Sequence, residues 1–118
     1  MKIPLEKGAL HISADVFTAI SGYAATNCFG VKGMASRGVQ DGIVHLLRRE
    51  NLSKGVKVSY QDDGNSVDID LHIVVEHGIN IPEVCRSMMQ EVRYHVEKIT
   101  GITVNSVNIC IDSIVVNA

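Results

Sequence analysis

The chain has 118 residues, of which 46% are hydrophobic and 20% are charged, a composition typical of a folded domain and not of a disordered segment. The net charge of -2 at pH 7 excludes a strong nonspecific attraction to nucleic acid or anionic lipid. Aromatic residues make up only 4%, so the core must be mainly aliphatic. We expect one domain over residues 1–118, because this length suits a single core.

Three widely spaced cysteines, Cys28, Cys85 and Cys110, form no C-x-x-C pair, and their number is odd. This pattern disfavours a disulfide framework or a zinc site and favours a reducing compartment. The longest apolar runs are far shorter than the roughly 20 residues that span a bilayer. The first seven residues also lack the apolar stretch of a signal peptide. We therefore expect a cytoplasmic protein that does not insert into a membrane and would reach one only through a partner.

The first half of the chain predicts two strands and two helices. A short strand over Gly8 to Ser13 is followed by an amphipathic helix, for which Ser13 is a suitable N-cap. The helix should stop before Gly30, and Val31 to Ala35 should form a second strand. Apolar spacing then predicts a shorter helix over Asp41 to Asn51.

The second half predicts a hairpin, a long helix and a last strand. Alternation favours strands over Val56 to Tyr60 and Val67 to Val75, joined by a turn rich in Asp, Gly and Asn. Asn80 can cap the longest helix, and Gly101 can end it. The last strand starts at Thr103 and continues to about Val115. The apolar residues of this strand change from even to odd positions after Val104, which predicts a bulge or bend near Asn105-Ser106.

The resulting order, β-α-β-α-β-β-α-β, predicts an α+β fold with a mixed sheet and helices packed mainly on one face. Residues 8 to 35 and 71 to 111 both read strand, helix, glycine, strand. A right-handed crossover would suit both copies if their strands are parallel.

Asp68, Asp70 and His72 are the strongest candidates for metal ligands, because a period of two places them on one strand face. However, the first and last of three such residues are about 13 Å apart, too far to share one ion. We therefore predict a solvated sheet face and no metal.

The thiols give no sign of catalysis. Cys85 lies near a helix N-terminus, where thiolate is favoured, but also on the apolar stripe of that helix. Cys28 lies near a helix C-terminus, and we expect Cys110 on the open sheet face. The sequence places no histidine beside any of them, so a nucleophile–base pair lacks support. Nucleotide-binding, zinc-protease and serine-hydrolase motifs are also missing. We predict no catalytic residues, no cofactor and no enzyme activity.

Two sequence features suggest binding. Gly30-Val31-Lys32-Gly33 matches the G-x-x-G loop of KH-type RNA-binding modules and gives an alternative function, a small RNA-binding module. Its four-residue pattern arises often by chance, so nucleic acid is the less favoured partner. Basic side chains on the predicted helix surfaces are our candidate partner-binding residues: Arg48, Arg49, Arg93 and Lys98.

Taken together, several stretches resemble the alkaline shock protein family of Gram-positive bacteria. They are Gly30-Val31-Lys32-Gly33-Met34-Ala35, Asp41-Gly42 with Leu46-Leu47, Gly55-Val56-Lys57-Val58, the run from Val67 to Val84, and Thr100-Gly101-Ile102 to Ile109. The similarity extends from about Gly8 to Ile114, and the order and spacing of the stretches make it specific. One departure is Asn105-Ser106, where the family pattern has an acidic residue in the second place.

The resemblance implies a small cytoplasmic bacterial protein linked to the envelope stress response, with no established catalytic residues. Some members gather at the membrane through a membrane-anchored partner, and others are associated with lipid metabolism. We therefore expect a non-catalytic scaffold, adaptor or regulatory protein of cell envelope homeostasis. It would form homo-oligomers and bind a membrane-anchored protein or a lipid-metabolism enzyme.

Overall fold

The computed structural model describes residues 1–37, 44–46 and 55–116. In chain order the elements of this part are β1 (Lys2–Leu5), β2 (Gly8–His11), α1 (Ala14–Thr26), β3 (Val31–Arg37), β4 (Val44–Leu46), β5 (Val56–Tyr60), β6 (Ser66–Glu76), α2 (Ile81–Thr100) and β7 (Thr103–Val115). Strands β1 and β2 form a small antiparallel sheet, and the other five strands form a mixed sheet. The predicted α+β class is confirmed.

Strand β6 is the centre of the mixed sheet. Strand β7 runs parallel to β6 along one of its edges, over almost its whole length. The other edge of β6 is shared by two antiparallel strands, β5 along Val67–Leu71 and β3 along Ile73–Val75. Strand β4 pairs with β3. The predicted β5–β6 hairpin is confirmed, and the 11 residues of β6 explain how one strand can pair with two others in succession.

Polar side chains and one glycine fix the ends of the helices where the sequence predicts them. Ser13 Oγ accepts a hydrogen bond from the Asp15 amide at 3.3 Å, and Asn80 Oδ1 accepts one from the Glu83 amide at 3.2 Å. Helix α1 ends before Gly30, but its C-cap is Asn27, and Gly30 lies further on, immediately before β3. Gly101 ends α2 in the left-handed conformation, with φ of 73°.

The core lies between the helices and one face of the mixed sheet. Alternate residues of β6, from Val67 to Val75, are fully buried and pack against one stripe of α2. The buried residues of that stripe are Met88, Val92 and Val96. Phe17 of α1 is also fully buried and meets the Tyr60 ring edge-on, with the ring centroids 6.2 Å apart. Both helices therefore cover one sheet face, and the polar alternates of β6 lie on the other.

The predicted helix over Asp41 to Asn51 is wrong where the structure describes it. Val44–Leu46 form β4, which pairs antiparallel with β3, Ala35 opposite Leu46. The remaining residues of the predicted helix lie outside the described part. Apolar spacing over such a short run fits a helix turn or a strand equally well, and pairing with the edge of β3 decides between them.

Both copies show the predicted order of strand, helix, glycine and strand, but only the second has the parallel strands that a crossover requires. Strands β6 and β7, on either side of α2, are parallel, as expected. In the first copy, β2 pairs with β1 in a separate sheet, and β3 runs antiparallel to β6. Strand β1 was not predicted from the sequence; it extends the pairing that Met1 and Ile12 begin through hydrogen bonds of 2.7 and 2.8 Å.

Candidate partner-binding surfaces

The open face of β6 carries polar side chains that bond to the neighbouring strand β7. Asp68 accepts hydrogen bonds from Ser106 Oγ at 2.6 Å and from Asn105 Nδ2 at 2.9 Å, and Asp70 accepts one from Asn108 Nδ2 at 2.8 Å. Further along, His72 Nδ1 lies 3.0 Å from Asp112 Oδ2. We call this set the polar row; its members are Asp68, Asp70, His72, Asn105, Ser106, Asn108 and Asp112.

Asp68 has the most hydrogen bonds in the polar row. Besides the donors on β7, Gln61 Nε2 donates to its second carboxylate oxygen. The hydrogen bonds from Ser106 and Asn105 hold the pKa of the Asp68 carboxyl below its usual value, because they stabilise the charged form more than desolvation disfavours it. Asp68 is therefore a charged acceptor that connects three segments of the sheet.

The polar row gives a structural role to the three residues that were the candidate metal ligands. Each of Asp68, Asp70 and His72 is directed to its own partner on β7, and the three do not converge on one point. Within residues 1–37, 44–46 and 55–116, no group of three or more His, Cys, Asp or Glu side chains is placed to hold an ion. This arrangement fixes β7 to β6.

Strand β7 has one paired edge and one open edge, along which none of the described strands lies. Of the described strands, only β6 pairs with it. The predicted irregularity at Asn105 is confirmed as a shift in register, and a second shift occurs at Asp112. Between them Ser106 to Ile111 pair regularly with β6. The single charged side chain of β7, Asp112, is only 7% exposed, because it bonds to His72. The open edge therefore presents no exposed charge.

Edge strands of monomeric proteins are commonly protected by charged side chains, by proline or by a covering segment. The regular part of β7, from Ser106 to Ile111, contains no charged residue and no proline, and its Cys110 side chain is exposed. The end of the strand adds exposed apolar side chains, Ile114 and Val116. An unprotected edge of this length is suited to pairing with a strand of another chain.

The structure also places the Cys110 thiol on the strand next to a histidine. No such neighbour was predicted from the sequence, but the parallel register puts His72 opposite Cys110 on adjacent strands. In the described part, no hydrogen bond links the two, and His72 Nδ1 is directed to Asp112. Desolvation raises the pKa of the Cys85 thiol; for Cys28, desolvation and the Glu91 carboxylate both raise it. These two thiols are therefore poor nucleophiles.

The structure describes two of the four candidate partner-binding residues, and both are exposed on α2. Arg93 Nη2 donates to the Asn105 carbonyl at 3.4 Å, which ties the helix to the first bulge of β7. Lys98 Nζ lies 3.2 Å from Tyr94 Oη and 5.4 Å from the centre of that ring. Arg48 and Arg49 lie outside the described residues.

Gly30-Val31-Lys32-Gly33 does not form a loop between two helices. Val31 to Gly33 are the first residues of β3 and pair with the end of β6. Gly30 has a φ of 84°, and a Cβ at this position would lie 3.1 Å from the Ile79 side chain and 3.4 Å from Val84. This geometry gives Gly30 a packing role, and the RNA-binding alternative loses the loop on which it depends.

An aromatic surface beside a cleft between α1 and α2 was not predicted from the sequence. The cleft has a volume of about 360 Å³, and Tyr23, Phe29, Glu91 and His95 are among its lining residues. Because Gly30 packs inward, the preceding Phe29 lies on the surface and is 83% exposed, while Tyr23 is 60% exposed. The available signal in the sequence was that Phe29, one of few aromatic residues, stands directly before Gly30.

Among the described helices, none has the length and apolar character to cross a membrane.

Comparison with known proteins gives a consistent result. Residues 2–116 match the alkaline shock protein 23 family, described by its cell envelope-related function. The uncharacterized protein YloU of Bacillus subtilis is 38% identical over 91% of this chain and 88% of its own length. The uncharacterized protein Spy1614 of Streptococcus pyogenes is 38% identical over 97% of this chain and 93% of its own length. A solved MamM-CTD variant, covering 90% of this chain and 100% of its own, has 13% identity and a TM-score of 0.48.

Proposed function

Because the chain belongs to the alkaline shock protein 23 family, whose function is cell envelope-related, we propose that it is a non-catalytic adaptor or scaffold. It holds partner proteins, and regulates them, in the envelope stress response. The observation that carries this proposal is the open edge of β7, whose regular stretch from Ser106 to Ile111 pairs, among the described strands, with β6 alone. Its unpaired backbone groups and uncharged side chains favour a protein strand as the partner.

The first partner in this proposal is a second copy of the chain. Two β7 edges can meet antiparallel about a two-fold axis, because each copy then offers the other the same row of backbone donors and acceptors. The regular stretch from Ser106 to Ile111 has about the length of an ordinary strand. Pairing there extends the mixed sheet across two copies.

The second partner is a membrane-anchored protein or an enzyme of lipid metabolism, in keeping with the cell envelope-related function of the family. In this proposal the anchored protein brings the chain to the membrane. The exposed side chains of Arg93 and Lys98, and Arg48 and Arg49 in sequence, are the candidate contacts for acidic groups on such a partner.

The test is to replace Cys110 by lysine. Antiparallel pairing about the middle of β7 brings the two lysines close together and buries them in part, so self-association should weaken about tenfold or more. Size-exclusion chromatography with light scattering over a concentration series measures the change. Cys110→Ser is the matched control, because it alters the thiol without adding charge.

Circular dichroism establishes that both variants are folded. Wild-type assembly that is retained in Cys110→Ser and lost in Cys110→Lys supports the proposal. A wild-type protein that stays monomeric at every concentration, or a lysine variant that assembles like the wild type, contradicts the role of the β7 edge.

A further inference from the structure

The cleft between α1 and α2 is separate from the β7 edge and has a different chemistry. Its α1 side ends in two exposed aromatic rings, those of Tyr23 and Phe29, and its α2 side presents Glu91 and His95. Its volume of about 360 Å³ is large enough for a side chain and too small for a folded element. Such a site suits one protruding group of a partner.

Glu91 is the one Asp or Glu among the described lining residues, and the lining includes no Lys or Arg. Its side chain is 54% exposed, and its Oε2 atom lies 3.2 Å from His95 Nε2. The other oxygen, Oε1, remains available to a ligand. The Glu91 charge also reaches across the cleft, since it contributes to the raised pKa of the Cys28 thiol on the α1 side. The charge of the cleft therefore favours a cation.

The aromatic rings narrow the choice of cation. A guanidinium group is planar, stacks on aromatic rings and binds a carboxylate through a fork of donors, whereas an ammonium group is a compact, strongly hydrated charge. Phe29 is the most exposed large hydrophobic residue of the described part, at 83%, so its ring is open to a group that stacks on it.

We propose that this cleft binds the guanidinium group of an arginine side chain on a partner protein. Phe29 and Tyr23 stack against the planar group, and Glu91 accepts its hydrogen bonds. The inference rests on the proposed function, the holding of partner proteins, and it assigns a second contact surface on the helix side of the molecule.

The test is an NMR titration of the ¹⁵N-labelled full chain with N-acetyl-arginine methylamide. Two compounds serve as controls. N-acetyl-citrulline methylamide has nearly the same shape as the arginine compound but no charge. N-acetyl-lysine methylamide has the positive charge but no planar group. We expect the arginine compound to shift the amide signals of Phe29, Ser87 and Glu91. The lysine compound should bind more weakly, and the citrulline compound should cause no comparable shifts.

Two variants locate the contact. Glu91→Gln and Phe29→Ala should each weaken arginine binding about fivefold, the size expected for one exposed carboxylate or aromatic contact. Both side chains are exposed, so the fold should be kept. Glu83→Gln is the matched control, because Glu83 is exposed on the same helix but does not line the cleft. Its affinity should stay within about twofold of the wild type.

Any of three results would overturn the assignment. The shifts could spread over the whole surface, the lysine or citrulline compound could bind as well as the arginine compound, or Glu91→Gln could leave binding unchanged. This experiment does not involve β7, so a negative result removes the cleft as a site and leaves the edge proposal to its own test. Failure of Cys110→Lys to weaken assembly likewise leaves the arginine titration interpretable.

Discussion

At the scale of single residues, the Asp68 side chain both links neighbouring strands and makes the stability of the fold depend on pH. Its carboxylate accepts hydrogen bonds from Ser106, Asn105 and Gln61, and the first two are the main reason that its pKa is lowered. Because the folded pKa is below the unfolded one, the carboxylate stabilises the fold fully above the ordinary aspartate pKa of about 3.9. This stabilisation is lost as the pH falls through the lower folded value.

We therefore predict that Asp68→Asn lowers the melting temperature at neutral pH and that the difference from the wild type shrinks as the pH falls below about 4. Thermal unfolding followed by circular dichroism from neutral to acidic pH checks this. Asp62→Asn, in the exposed β5–β6 turn, is the control for removal of one negative charge. A difference between Asp68→Asn and wild type that stays constant with pH would contradict the stabilising role of the carboxylate.

At the scale of elements, the termini of α2 illustrate how local chemistry fixes a boundary. The Asn80 side chain accepts from the Glu83 amide at one end, and the Gly101 amide donates to the Glu97 carbonyl at 2.9 Å at the other. Gly101 has a φ of 73°, a conformation that disfavours any residue with a Cβ. A Cβ at this position would meet no atom within 4 Å, so backbone conformation alone requires glycine there.

We predict that Gly101→Ala destabilises the protein by about 1–2 kcal/mol, the cost of a left-handed alanine. Gly8→Ala is the matched control, since Gly8 has an equally open environment but no left-handed φ. Its effect should stay within about 0.5 kcal/mol. Chemical denaturation of both variants measures the free energies of unfolding, and equal effects would show that the conformation at Gly101 is not limiting.

At the scale of the whole molecule, one shared core connects the helices to the mixed sheet. Met88 is fully buried in the stripe of α2 that packs on β6, whereas its neighbour Met89 is exposed on the same helix. Truncation of a buried methionine removes apolar contacts and leaves a cavity, so the cost depends on burial and not on residue type.

Met88→Ala should lower the free energy of unfolding by about 2–5 kcal/mol, and Met89→Ala by about 0.5 kcal/mol or less. Urea unfolding of the two variants is the direct comparison. A loss of similar size in both would mean that α2 does not pack on the sheet through the Met88 stripe.

The sequence was sufficient for features that depend on neighbouring residues. The caps at Ser13 and Asn80, the left-handed Gly101, the β5–β6 hairpin and the bulge at Asn105 were all predictable. The caps follow from side chains that bond to nearby backbone groups, and Gly101 follows from the tolerance of glycine for the left-handed conformation. The hairpin follows from the alternation of apolar residues, and the bulge from the point where that alternation breaks. The family resemblance could also be recognised, because it depends on the order of such stretches.

Pairing between distant segments could not be derived in the same way. The sequence did not reveal that Val44–Leu46 pair with β3, or that β1 and β2 form their own sheet. The partners of Asp68 and His72 on β7 are likewise some 40 residues away. The backbone donors and acceptors of a strand can pair with any strand edge within reach. Packing of the whole chain therefore selects the partner.

The same distinction applies to the candidate sites. The sequence by itself determined an aliphatic core, an α+β order and the absence of familiar catalytic motifs, because composition, alternation and motif spacing are local properties. Only the tertiary structure decided that β7 is an open edge, that His72 lies opposite Cys110 and that Phe29 and Glu91 face one cleft. These are contacts across the sheet and between helices, and burial of the shared core is what brings them together.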